Sequence, residues 1–313
     1  SAVVFDRASG KRLWTHGGDG SGYCYPLGFI PGSNYLVTRM FREGTSVAII
    51  DVATKAIVRG WPLPKLSQRG YVNDAVLSPD GKLLWASGDN KVRLCDVTTG
   101  KEVASWSGHI DAVTVAAFFP DGKRLLTAGK DRSMRLWDIE SGESLGKIDL
   151  ERTAHKLAVS PDGERAVAVC AGESVLRRFD LTTLRGLPVE DGHTQLVEQT
   201  AWTPDGKHLL SASRDGTVRV WDVAARRTVR QWTPRTRSLN WLAISGDGTL
   251  TATAGYNDTP IEIWNIADGK RLHSMMNPEG SVGALVFAPR GTILATGTFH
   301  MTQQGPAIRL WDA

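Results

Sequence analysis

The chain has 313 residues, 41% hydrophobic and 22% charged, with a formal charge of +4 and a pI near 9.0. This composition suits a folded core and excludes a disordered chain, and so mild a positive balance does not indicate a nucleic-acid binder. No apolar run reaches the roughly 18–20 residues of a membrane helix. The three cysteines Cys24, Cys95 and Cys170 lack metal-ligand spacing and exclude a disulfide framework or a zinc module.

Among the aromatic residues 11 are Trp, against 5 Tyr and 8 Phe, which points to an architectural position filled repeatedly by indole. The chain starts at Ser1 rather than Met, so a leader or an upstream fused domain stays open. A cytoplasmic location is the expectation on that footing.

Taken in chain order, one phrase recurs. An apolar-alternating stretch closes on Asp6, Asp51, Asp96, Asp138, Asp180, Asp222, Asn265 and Asp312, at intervals of 45, 45, 42, 42, 42, 43 and 47 residues. Between these stretches lies a second phrase in phase, Ser78-Pro79-Asp80-Gly81, Phe119-Pro120-Asp121-Gly122, Ser160-Pro161-Asp162-Gly163 and Thr203-Pro204-Asp205-Gly206, with looser copies at 30–33, 245–248 and 288–291. Asp-Gly between two alternating runs is a tight-turn signal, because Gly supplies a positive φ without steric cost. The flanking runs alternate with a period of two, so each repeat holds about four short antiparallel strands and no helix is expected.

These residues resemble the WD40-repeat family across essentially the whole chain. The Trp-Asp dipeptide stands at Trp137-Asp138, Trp221-Asp222 and Trp311-Asp312, with Trp264-Asn265 close to it, and the Gly-His mark at Gly108-His109 and Gly192-His193. The resemblance implies an all-β fold, a single seven-bladed β-propeller of four-stranded antiparallel blades over residues 1–313. It also implies a buried relay, since His109, Thr127, Asp131 and Trp137 repeat at the same steps as His193, Ser211, Asp215 and Trp221. In such a relay Asp accepts from His, His meets the hydroxyl and the hydroxyl meets the indole. These His and Asp residues are therefore structural rather than catalytic.

Two repeats depart from that pattern. One has Trp85 at the hydroxyl position and Cys95 at the indole position, although Asp89 remains; the other has Glu173 and Phe179 with no matching hydroxyl. Both are expected to rely on apolar packing, with Cys95 and Cys170 as small buried hydrophobes. Ring closure leaves two arrangements. Either 307–312 fills the third-strand place, 11–15 supplies the outer strand and 1–6 adapts, or 1–6 ends a blade whose first half lies upstream.

No catalytic motif is present: there is no nucleophile elbow, no zinc-protease helix, no phosphate loop and no EF-hand. The Gly-rich run 17–22 precedes no helix and reads as a loop, and His300 with Met301 is too small a set for a metal. No cofactor and no metal are expected.

The functional surface is sought by position instead, on the face where each blade's first strand begins. Counting back from the Pro-Asp-Gly turns gives the ring Tyr25, Asn73, Thr114, His155, Glu198, Asn240 and Gly283. Two residues earlier stand Tyr23 and Tyr71, so three tyrosines gather on neighbouring blades, either as an interface or as ordinary packing. The loops between second and third strands carry Lys130, Arg132, Arg214 and Tyr256, either a solvated rim or a sector for an acidic or phosphorylated peptide. The stretches 40–46 and 298–306 read as long loops that could carry recognition. The leading expectation is a non-enzymatic scaffold that binds a protein or peptide, as a docking module of a larger, bacterial multidomain protein. The alternative is an enzyme or ligand-binding ring working at the channel mouth, for which His155 and Glu198 are the pair to nominate.

Overall fold

The computed structural model describes residues 2–5, 12–15, 23–41, 45–54, 56–62, 75–86, 89–187, 192–225, 227–236, 238–255, 259–276, 282–289, 293–298 and 308–312. Twenty-nine strands and no helix are found among them. Strands β1 (Ala2–Phe5) and β2 (Arg12–Thr15) precede blade 1, formed by β3 (Tyr23–Phe29), β4 (Tyr35–Phe41), β5 (Thr45–Asp51) and β6 (Ala56–Pro62). Blade 2 holds β7 (Ala75–Leu77), β8 (Leu83–Ala86), β9 (Lys91–Asp96) and β10 (Glu102–Ser107). Blade 3 holds β11 (Val113–Phe118), β12 (Arg124–Gly129), β13 (Ser133–Asp138) and β14 (Ser144–Asp149). In blade 4 lie β15 (Ala154–Val159), β16 (Arg165–Cys170), β17 (Leu176–Asp180) and β18 (Arg185–Leu187). Blade 5 consists of β19 (Val197–Trp202), β20 (His208–Ser213), β21 (Val218–Asp222) and β22 (Arg227–Trp232), and blade 6 of β23 (Leu239–Ile244), β24 (Leu250–Gly255), β25 (Ile261–Asn265) and β26 (Arg271–Met275). The chain ends with β27 (Val282–Phe287), β28 (Ile293–Thr298) and β29 (Ile308–Asp312).

The expectation of seven four-stranded antiparallel blades is corrected: six sheets have that form, and the last is a five-stranded sheet in the order β2-β1-β29-β28-β27. Both third-strand phrases find a place in it. Strand β29 pairs antiparallel with β28, β1 then joins the free edge of β29 in parallel (Val3 opposite Arg309), and β2 pairs antiparallel with β1. The segment expected as the outer strand is thus displaced one place outward by residues 2–5. An edge strand exposes a row of unpaired backbone groups, and a parallel partner can satisfy them, though slightly less stably per residue than an antiparallel one.

The first strands β7, β11, β15, β19, β23, β27 and β3 are neighbours in that order and return on themselves around an axis. Burial is deepest one strand out from that axis, for β15 and β19 are half-buried at all but their first position. The second strands β12, β16, β20 and β24 are buried at every position but their first, whereas the outer strands β10 and β14 are mostly exposed. Apolar runs such as Ala166 to Cys170 follow from this, since a strand covered on both faces has no polar side to show.

The recurrent Asp has a local cause. Asp51, Asp96, Asp138, Asp180 and Asp222 each accept a backbone N–H two or three residues ahead, for example Ser141 N to Asp138 Oδ1 at 2.8 Å and Thr183 N to Asp180 Oδ1 at 2.7 Å. Asn265 does the same with Ala267 N at 2.8 Å, because its amide oxygen is an equivalent acceptor. The Pro-Asp-Gly turns follow a second rule. Ser78 donates to Asp80 (2.7 Å), Asp80 accepts from Lys82 N (3.0 Å), and Gly81 takes φ +72° between them.

Candidate functional site

The two relays are assembled as hydrogen-bonded chains. His109 Nδ1 lies 2.9 Å from Asp131 Oδ2, its Nε2 lies 2.8 Å from Thr127 Oγ1, and Trp137 Nε1 donates to the same hydroxyl at 2.8 Å. In blade 5 the matching distances are 2.9 Å for His193–Asp215, 2.7 Å for His193–Ser211 and 2.8 Å for Trp221–Ser211. Only one proton arrangement satisfies every member: Nδ1–H donates to the carboxylate, leaving Nε2 bare to accept from the hydroxyl. Burial pushes both imidazoles below their ordinary range, which keeps them neutral as that arrangement requires. The carboxylates also take backbone donors, Ile110 N for Asp131 (3.1 Å) and Thr194 N for Asp215 (3.0 Å), so each relay pins the loop that precedes its blade.

Blades 2 and 4 do not replace the relay by apolar packing alone. Asp89 receives Arg93 at 2.6 Å, and Arg93 also reaches Glu102 at 3.1 Å. Glu173 receives Arg177 at 2.8 Å, and the same guanidinium bonds Glu151 at 2.8 Å. In both blades an Arg three residues before the terminal Asp neutralises the relay carboxylate. Cys95 and Cys170 are buried, and that burial pushes each thiol up to about 11. Neither thiol is a nucleophile at neutral pH.

On the face where the first strands begin, the structure explains the ring of positions. Thr114, His155, Glu198, Asn240 and Gly283 fall where the pairing of first with second strand skips one residue, a β-bulge repeated in five sheets. Tyr25 does not share the place. In blade 1 the skip falls between Pro26 and Gly28, and Tyr25 pairs with Arg39, whose guanidinium lies 5.1 Å from the tyrosine ring. Tyr23 lies at the start of β3, while Asn73, Tyr71 and Tyr256 lie outside the described residues, as do His300, Met301 and the run 17–22. The expected loop 40–46 is shorter than the sequence suggests, for β4 and β5 stay paired as far as Phe41 and Thr45; of 298–306, only Thr298 is described, at the end of β28.

One bulged side chain ties neighbouring blades together: Thr114 Oγ1 donates to Ala154 O of blade 4 at 2.7 Å. Glu198 is held by Arg214 across its own blade rather than by His155. The nominated acid–base pair is therefore not assembled, and Arg214 is neutralised rather than free. No cluster of three potential metal ligands occurs among the described residues, and no helix there is long and apolar enough to cross a membrane.

Among the described residues of the nominated loop ring, the exposed cations without an ion pair lie on blade 3. Lys130 and Arg132 are exposed on the β12–β13 loop with no ion pair among the described residues. Arg132 sits at φ +57°, in the left-handed region, where the matching residue of blade 5 is Gly216. A non-glycine residue there costs on the order of 1 kcal/mol. Between the two cations Asp131 accepts from Ile110 N, and the Ile110 side chain is 86% exposed. Ile110 is the residue that position-based reading misses. The signal is the contrast after Gly-His, where blade 5 has polar Thr194 and blade 3 an aliphatic side chain.

A family model described as "WD domain, G-beta repeat" matches residues 100–138 and 184–222, the two segments that end on the relay blades' Trp-Asp. The chain is 30% identical over 213 residues to the nuclear distribution protein nudF of Aspergillus niger, covering 61% of this chain and 46% of that protein. It is 30% identical over 165 residues to the small ribosomal subunit protein RACK1y of Oryza sativa, covering 50% and 48%. Against the 66 kDa stress protein of Physarum polycephalum the identity is 24% over 284 residues, covering 87% and 46%. The chain thus spans about half the length of these curated relatives.

Proposed function

The chain is a WD40-repeat protein, and from that premise we propose that it is a non-enzymatic interaction scaffold which docks an acidic protein segment on the face where the first strands begin. One observation carries the reading: Ile110, Lys130 and Arg132 are presented together around Asp131, one apolar and two cationic side chains without partners among the described residues. An exposed aliphatic beside two cations suits a segment in which an apolar residue neighbours carboxylates or a phosphate. Rigidity supports it too, because the relay and the bulge contact order the loops beforehand and reduce the entropy lost on docking. The backbone strain at Arg132 fits a loop selected for its side chain rather than for stability.

The test is affinity capture followed by direct binding of whatever is captured. Ile110→Asp and Arg132→Glu variants, each with an unchanged melting curve, should lose the protein that the wild type retains. Equal capture by wild type and both variants would move the docking surface elsewhere.

A further inference from the structure

Between blades 2 and 3 the indole of Trp106 stacks on that of Trp137, ring centres 6.3 Å apart, and between blades 5 and 6 Trp232 stacks on Trp264 at 5.9 Å. Each pair joins the residue ten past one blade's terminal Asp to the residue just before the next blade's terminal Asp or Asn. Between blades 3 and 4 these two places hold Ile148 and Phe179, and both line a cavity of about 190 Å³ together with Leu150, Cys170 and Leu187. In blade 3 the far edge of the Trp137 indole presses on Gly108, where an added Cβ would lie 2.6 Å from Cη2. Asp149, the residue matching Gly108, lines the cavity instead. The relay is missing here as well. Leu150 stands four residues before β15 as His109 stands four before β11, and Ala168 pairs with Arg177 as Thr127 pairs with Arg135. An imidazole, a hydroxyl and two indoles of the sister blades are thus replaced by Leu150, Ala168, Ile148 and Phe179.

The volume sets the size of what fits, since an apolar cavity of about 150 Å³ holds one benzene ring. The walls set its chemistry. Arg177 meets Glu173 through two bonds, Nη2 to Oε1 at 2.8 Å and Nε to Oε2 at 2.9 Å, so the polar side of the cavity is already neutralised and selects no charge. A guanidinium held flat in this way is a stacking partner for an aromatic ring, and the Phe179 ring lines the same space. An uncharged aromatic ring is the fitting occupant, in the place where the sister interfaces put one of their own. The cavity also adjoins the docking patch, for Leu150 N donates to Arg132 O at 2.7 Å. Glu151 and Arg152 line it too and are exposed, so it opens to solvent on that side.

We propose that the cavity between blades 3 and 4 receives an uncharged aromatic side chain of the acidic segment docked on Ile110, Lys130 and Arg132. This rests on the docking reading for its source, while the cavity can be probed by itself. The full chain labelled with 13C at its isoleucine δ1 methyls would be titrated with acetyl-Gly-Phe-Gly-amide, with acetyl-Gly-Leu-Gly-amide and with toluene, following the Ile148 signal assigned by its loss in Ile148→Val. The phenylalanine peptide should move that signal saturably. The leucine peptide should bind about threefold to tenfold more weakly, the worth of one aromatic pair beyond its buried area. Phe179→Trp fills the cavity with the indole that the sister blades carry and should abolish the response. If that variant fails to fold, Leu187→Trp blocks the cavity from the outer strand.

No saturable movement with the phenylalanine peptide, equal affinity for the leucine peptide, or an undiminished response in the folded blocked variant would overturn the proposal. Saturation by toluene with none by the phenylalanine peptide would overturn the side-chain source and assign the cavity to a free aromatic molecule. The blocked variant should also lose the protein that the wild type captures; full capture there, with the titration abolished, would likewise overturn the source. Because the tripeptide reads only the cavity, equal capture by wild type and Ile110→Asp with an unchanged titration would count against the docking face and not against the cavity.

Discussion

Trp106 of blade 2 covers Gly142 of blade 3 so closely that a Cβ added at Gly142 would lie 1.9 Å from the indole Nε1. Gly142 has φ +73°, four residues past the terminal Asp of its blade, and Trp106 stands ten past that of the blade before. Trp61 covers Gly100 (φ +70°) in the same way, with Trp61 Cδ1 2.1 Å from the hypothetical Cβ. At the next interface both partners change. Ile148 replaces the indole, Leu184 replaces the glycine at φ +56°, and the Leu184 side chain packs against Gly146. Indole over bare backbone and leucine over glycine are two solutions to one inter-blade gap.

Gly142→Ala should therefore destabilise by about 2–4 kcal/mol, adding a steric clash to an unfavourable φ. The urea midpoint checks it. A loss below about 0.5 kcal/mol would show that Trp106 swings aside freely.

Acid should weaken the ring in two stages. Burial lowers the folded-state pKa of His109 and His193, so the unfolded chain takes up protons that the folded relays refuse as pH falls below 6.5, and stability declines from there. Burial works against Asp215 ionising, yet hydrogen bonds from Thr217 and Thr194 together with His193 bring it down to about 2. Its contribution is complete above about 4 and is lost as pH drops towards its folded value. Melting temperatures taken between about pH 8 and pH 3 should show a plateau above about 7, a first decline below it and a steeper one below about 4. A flat profile down to about pH 5 would contradict the neutral-histidine relay.

The repeats, the turn chemistry and both relays were legible because each rests on local bonding that imposes a fixed spacing, as with His109, Thr127, Asp131 and Trp137. The arrangement of the closing sheet was not. Residues 2–5 and 308–312 carry equivalent phrases, and pattern alone does not say that the edge of β29 accepts β1 in parallel. Equivalence by counting also failed at Tyr25, where the bulge lies two residues further along than in the other sheets. The exposure of Ile110 depends on what surrounds it in space, which periodicity does not encode.

Blade 4 should depend on its ion pairs as blades 3 and 5 depend on their relays. Arg177→Met removes the partner of Glu173, whose carboxylate side chain is only 11% exposed, and leaves that charge without its closest cation. Arg177 itself is a third exposed, so solvent screening reduces the cost to about 1–2 kcal/mol. The double variant Arg177→Met, Glu173→Gln should recover part of the loss, since the stranded charge goes with it. If the double variant is no more stable than Arg177→Met, packing of the arginine stem rather than charge holds the blade.

Arg132→Gly separates stability from docking. The backbone at this position lies at φ +57°, a region glycine enters freely and arginine does not, and Gly216 already fills the matching place in blade 5. The substitution should raise stability by about 0.5–1 kcal/mol and weaken capture of the acidic segment, because one of the two cations flanking Ile110 is gone. Lys130→Met removes the other cation without touching the strained residue, so it should weaken capture and leave the melting temperature unchanged. A stabilised Arg132→Gly protein that captures its partner at full strength would mean that the strain serves some other purpose than recognition on this face.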